Sequence, residues 1–248
     1  MSVTISESGA IFATDAEAIK GDLSSVVISP ESLNVVNLSP SVMKFFTPTW
    51  TGGTSGAGAA ALSVYGNQRV TGPTSAVGYA IRNHICPVIL RGTNPESGPP
   101  NFSKRITWGF RVVKMSSVSG SADAVCRIVM GKLSSSLAGD PTSKSLGISF
   151  TGGAGVVKLI VHDGTTFTAI DTDFQPQFVV SFDCLIVSYG QGNAELYING
   201  TLKASTSLAP VGAGIYGLEH RCEVENVTVL TAAPLTVYYA NQTINIEP

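Results

Sequence analysis

Three consecutive stretches decide the fold class: the run Phe182-Asp183-Cys184-Leu185-Ile186-Val187-Ser188-Tyr189, the turn Gly190-Gln191-Gly192-Asn193, and the return Ala194-Glu195-Leu196-Tyr197-Ile198-Asn199-Gly200-Thr201-Leu202. With its lead-in from Phe178, the first run carries apolar residues on both faces, which places it centrally in a sheet. The glycine-rich turn reverses the chain. The return ends on Asn199-Gly200, a pair suited to a two-residue type I′ hairpin because both central positions need positive φ. Leu202–Ala204 is then the partner strand.

Strand signals continue on both sides. Upstream, Ile106, Trp108, Phe110 and Val112 alternate with Thr107, Gly109, Arg111 and Val113, the pattern of a half-buried strand with Trp108 in the core. Ala124–Met130, Ser145–Phe150, Val156–Val161 and Phe167–Ile170 follow, with Asp163-Gly164 read as a second type I′ turn. Ala61–Tyr65, Ala76–Ile81 and Ile85–Leu90 precede them. Residues 50–60 and 92–101 are loops by composition. Glu223–Leu230 and Leu235–Tyr239 close the series. Turn signals every 8–12 residues or so, with no helix-length amphipathic segment between strands, predict an all-β antiparallel sandwich or barrel.

Composition agrees. Charged residues make up 13% of the 248, against about 25% in average soluble proteins. A net charge of −2 with scattered basic residues gives no electrostatic footprint for nucleic acid. No window approaches the ~20 apolar residues of a membrane span. Met1–Glu7 has neither a basic start nor an apolar run, so synthesis in a cytosol is expected. Cys86, Cys126, Cys184 and Cys222 are widely spaced and read as small buried hydrophobes rather than metal ligands or disulfides.

The 182–202 hairpin resembles that of concanavalin-like and laminin-G-like jelly rolls, where an aromatic-led strand and a glycine turn precede L-Y-[VI]-[ND]-G. Trp108–Val112 and Glu225–Val229 suit the flanking strands. The resemblance covers roughly 104–230 and implies a jelly-roll sandwich.

The N-terminal stretch differs in character. Thr14 and Glu17 have capping-box spacing, Gly21 suits a helix end, and Ser29-Pro30 offers a second helix start. Short helical turns and extended links are expected over 13–45, too short to be stable alone. The organisation predicted is therefore an arm over 1–45 and a jelly-roll domain over 46–248. Ala13–Gly21 and Val27–Leu33 also resemble a segment of bacteriophage tail-fibre proteins, A-T-x-A-E-x-x-x-G followed by V-x-[ST]-P-x-x-L. That resemblance implies a virion protein attached to other virion components through Thr14, Glu17, Gly21, Pro30 and Leu33, and a homotrimer.

Jelly rolls of this kind include glycoside hydrolases, so paired carboxylates matter. Glu223 and Glu225 share one strand face, about 6.5–7 Å apart at their α-carbons. The E-x-D-x-x-E motif of laminarinase-like hydrolases is absent, and a solvated row of glutamates is the expected arrangement. No histidine has the spacing of a zinc site, and no serine the context of a nucleophile elbow. Asp163 and Asp171-Thr172-Asp173 supply loop oxygens but fall short of an EF-hand pattern. No metal or cofactor is expected. Sugar binding would use aromatic side chains at loop boundaries with amide and hydroxyl partners. Trp50 and Tyr189 sit at such boundaries. The expected function is a non-enzymatic fibre or receptor-binding virion protein contacting host-surface glycans. The alternatives are a capsid decoration protein with no glycan ligand and a polysaccharide-degrading enzyme.

Overall fold

A computed structural model describes residues 4–5, 11–12, 50–56, 59–64, 67–73, 77–85, 101–115, 123–132, 138–214, 219–226 and 235–246. Every regular element among them is a strand. β1 (Thr4–Ile5) and β2 (Ile11–Phe12) form a small antiparallel ribbon, which the sequence did not suggest. Thr14, Glu17, Gly21, Pro30 and Leu33, and the helical turns expected over 13–45, lie outside the described residues.

The remaining strands form two seven-stranded antiparallel sheets. One runs β11 (Phe167–Asp171), β10 (Lys158–His162), β9 (Ser145–Thr151), β8 (Ala124–Met130), β15 (Glu219–Asn226), β6 (Gly78–Ile85), β3 (Trp50–Ser55). The other runs β14 (Thr201–Thr206), β13 (Ala194–Ile198), β12 (Ser181–Ser188), β7 (Ile106–Lys114), β16 (Thr236–Ile246), β5 (Asn67–Thr71), β4 (Ala60–Val64). β11 lies against β14 at one lateral edge and β3 against β4 at the other. The expected antiparallel sandwich is the fold.

The core between the sheets follows from period-two alternation. Ile106, Trp108, Phe110 and Val112 all point inward and are buried. Trp108 packs on Phe110 at 4.6 Å between ring centroids, and Phe110 meets the edge of Tyr239 at 5.4 Å. Phe150 and Phe182 meet across the sheets at 6.1 Å, edge to face. Each such ring contributes roughly 1.5–3 kcal/mol of burial energy. Lys114 continues the inward phase of β7 and is fully buried. Its ammonium donates to the Gly153 carbonyl at 2.8 Å, tying β7 to the turn after β9, and burial lowers its pKa. Cys126, Cys184 and Cys222 are buried free thiols, and desolvation raises the pKa of Cys126 and of Cys184. Cys86 lies outside the described residues.

Several local expectations change. Asn199-Gly200 is the type I′ hairpin foreseen, with φ of 50° and 78° and Ile198 paired to Thr201. Asp163-Gly164 is not. His162 pairs with Phe167, so the connection has four residues, and Asp163 Oδ1 accepts from the Thr165 and Thr166 amides. The aspartate spends its side chain on an Asx turn rather than on a positive φ of its own. The strand expected from Phe178 begins at Ser181, because the chain passes through Val179 at φ 61° while its N–H bonds the Lys114 carbonyl at 2.8 Å. Phe178, Val179 and Val180 are left more than half exposed. The 50–60 loop contains β3, Ala76–Ile81 is the front of the longer β6, β5 was not foreseen, and β16 runs on to Ile246.

Candidate functional site

The exposed chemistry collects where β12, β13 and β14 end. Tyr189 follows β12 and is 40% exposed. Its N–H bonds the Asn193 carbonyl at 2.9 Å, closing the glycine turn. Gly190 adopts φ 79° and presses against the Ser103 carbonyl, leaving no room for a β-carbon. That contact sets Tyr189 beside the start of β7, where the Arg105 guanidinium stands over its ring, 5.5 Å from the centroid.

β13 supplies the second part. Ala194, Leu196 and Ile198 face the core, so Glu195 and Tyr197 share the outer face. Both phenols donate to one carboxylate oxygen: Tyr189 Oη to Glu195 Oε2 at 2.6 Å and Tyr197 Oη to the same atom at 2.7 Å. These hydrogen bonds hold the Glu195 carboxyl below its ordinary range. The bond to Glu195 pushes Tyr189 up to about 12 and also raises Tyr197.

β14 supplies the third part through a bulge. Counted from Asn199-Gly200, an unbroken hairpin would set Lys203 opposite Leu196, facing the core. The register shifts between Leu196 and Tyr197, so Ala204 takes the inward place and Ser205 comes opposite Glu195. Lys203 instead reaches Asp173 at 2.9 Å. The result is an open cleft of about 640 Å³ lined by Tyr189, Asn193, Glu195, Ser205, Thr206 and Leu208, among others. Leu208 is half exposed. The cleft offers an aromatic ring, an apolar patch, an amide, a carboxylate and hydroxyls to one ligand.

The phenol pair makes a testable pH signature. A raised tyrosine pKa means the neutral phenol is favoured in the fold, so the interaction is complete below about pH 10, the unperturbed value, and is lost as pH rises through about 12. A depressed glutamate works from the other side: its contribution is present above an ordinary carboxylate pKa of about 4.3 and fades as pH falls through the lowered one. Phenolate absorbance should show late-ionising tyrosines that Glu195→Gln returns toward about 10. A titration curve unchanged by that substitution would contradict the geometry.

Of the two aromatics singled out by sequence, only Tyr189 lines this cleft. Trp50 opens β3 opposite His84, at the far lateral edge of the other sheet. Four strand spacings, roughly 19 Å, separate it from the β12 position. The two do not form one site.

Glu223 is not the solvated residue expected. It is fully buried on the outer face of its sheet, beneath the segment bearing Lys132, Gly139 and Asp140. Its carboxylate forms an ion pair with Arg221, 2.7 Å from Nε, and accepts from Lys132 Nζ at 2.9 Å, the Gly139 amide at 3.0 Å and Arg127 Nη1 at 3.5 Å. Glu225, partly exposed, takes Arg127 Nη1 at 2.7 Å. A carboxylate enclosed by three cations is not presented to a substrate. The loop aspartates are likewise engaged: Asp171 with Lys158 at 3.0 Å and Asp173 with Lys203. Among the described residues no cluster of three or more His, Cys, Asp or Glu is arranged to hold a metal.

No protein-family model and no curated protein matches the sequence. Solved structures do match in shape. A mutant of HCR D/C VPI 5995 aligns with TM-score 0.51 at 10% identity, covering 80% of this chain and 44% of that one. The binding domain of botulinum neurotoxin DC, in complex with rat synaptotagmin II, aligns with TM-score 0.50 at 10% identity over 80% and 43%. Carbohydrate binding module CBM66 from Bacillus subtilis gives TM-score 0.47 at 8% identity over 79% and 94%. At such identities the likeness is one of fold, an antiparallel β-sandwich. The chain spans less than half the length of the first two of these chains.

Proposed function

We propose that this chain is a non-enzymatic glycan-binding module, the receptor-reading part of a bacteriophage particle. The Tyr189 cleft carries the glycan reading. An exposed ring gives a pyranose an apolar face to rest on, while Asn193, Glu195 and Ser205 ring it with the donors and acceptors that fix hydroxyl orientation. The virion setting, attachment through the 1–45 arm and assembly as a homotrimer rest on the likeness of 13–33 to tail-fibre segments.

The full chain applied to a glycan array should retain a defined subset of saccharides. Tyr189→Ala should weaken that binding roughly tenfold or more, the cost typical of losing a central aromatic anchor, with the melting temperature little changed. Equal binding by Tyr189→Ala would remove the cleft from the account. Silence across the array would favour the second reading, a decoration protein that contacts only neighbouring subunits. The exposed Phe178-Val179-Val180 run speaks for that alternative.

A further inference from the structure

We infer that the Tyr189 cleft selects neutral glycans rich in free hydroxyls and rejects acidic ones; this rests on the glycan reading above and specifies its substrate class. The argument begins with the two oxygens of Glu195. Oε2 takes both phenolic protons, from Tyr189 and Tyr197. Oε1 accepts no hydrogen bond from the described residues, so one full acceptor oxygen remains on the cleft wall. A carboxylate oxygen is the strongest acceptor for a sugar hydroxyl, because the bond is charge-assisted. The two phenols also lock the carboxylate in place, so little freedom is lost when a ligand arrives.

The same oxygen repels anions. Among the described residues, Glu195 is the sole charged residue lining the cleft. The nearby cation, Arg105, stands over the ring of Tyr189 instead of in the lining. The remaining polar lining is neutral: the Asn193 amide and the hydroxyls of Ser205 and Thr206. A ligand carboxylate about 5 Å from Glu195, in a half-open site of intermediate dielectric, should bind about tenfold more weakly than its neutral counterpart. Tyr197 shares the strand face of Glu195, whereas Tyr189 and Ser205 come beside it only through the glycine turn before it and the bulge after it.

Matched array glycans decide the matter: galactose-terminated chains with and without a terminal sialic acid, tested against the full chain and against Glu195→Gln. The neutral member should bind and the sialylated member should bind about tenfold more weakly. Glu195→Gln keeps an acceptor but no charge, and should close that gap by admitting the acidic glycan. Equal or tighter binding of the sialylated member by the unmodified chain would overturn the selectivity and leave glycan binding standing. So would a gap that survives Glu195→Gln. Failure of every glycan to bind would instead remove the glycan reading itself, and the selectivity with it.

Discussion

Replacing Glu223 by alanine should cost the fold about 3–5 kcal/mol, the range for breaking a buried ion pair from one side. The carboxylate has no solvent exposure, and its cationic neighbours Arg221, Lys132 and Arg127 are themselves almost fully buried. Alanine would leave Lys132 in low dielectric without the carboxylate now 2.9 Å away, and would remove the one 2.7 Å from Arg221. Arg127 would fare better, since Asp140 and Glu225 still reach it at 2.8 and 2.7 Å. The loss is a large share of the 5–15 kcal/mol or so that holds a domain together. It corresponds to a fall in melting temperature of roughly 10 °C or more. Glu223→Gln, which keeps acceptor capacity and shape, should fall between wild type and alanine. Urea melts of the three proteins at neutral pH measure the series. A loss below about 1 kcal/mol for alanine, the scale of a surface pair, would show that the cluster is solvated after all.

That cluster also marks where the sequence stops being legible. Strand identities were readable because they depend on neighbours in sequence. Trp108 is inward because its phase matches Phe110 and Val112, and Asn199-Gly200 turns because both residues accept positive φ. Glu223 depends on Lys132 and Gly139, 91 and 84 residues away, which lie over it only once β8 and β15 have paired. Strand spacing put Glu223 and Glu225 on one face correctly, yet says nothing of what covers that face. The cleft shows the same division. Tyr189 was visible as an aromatic at a loop boundary. Glu195 and Tyr197, two apart on one strand, could have been paired from their common face. The Ser205 position could not, because the bulge that brings it opposite Glu195 arises from the energetic demand that Ala204, not Lys203, enter the core.

Gly190→Ala should damage stability and binding together, by about 2–4 kcal/mol in the first and tenfold or more in the second. Two costs combine. A residue with a β-carbon at φ 79° loses about 1–2 kcal/mol to left-handed backbone strain. The new methyl would also lie 2.4 Å from the Ser103 carbonyl oxygen, far inside contact distance. That carbonyl has little freedom to retreat, because Phe102 is fully buried, its N–H bonds the Gly212 carbonyl at 2.8 Å, and Ser103 Oγ accepts the Gly212 amide at 2.9 Å. The turn must therefore move, carrying Tyr189 away from Arg105 and Glu195. Gly192→Ala is the internal control. Its φ of 83° imposes the same backbone strain, but its nearest neighbour would be an ordinary 3.4 Å away, so it should lose only the strain term and keep its ligand. Thermal melts and array binding of the two variants separate clash from strain. Equal losses at both glycines would mean that the close approach of Gly190 to Ser103 does not fix the cleft, and that Tyr189 owes its position to something other than the turn.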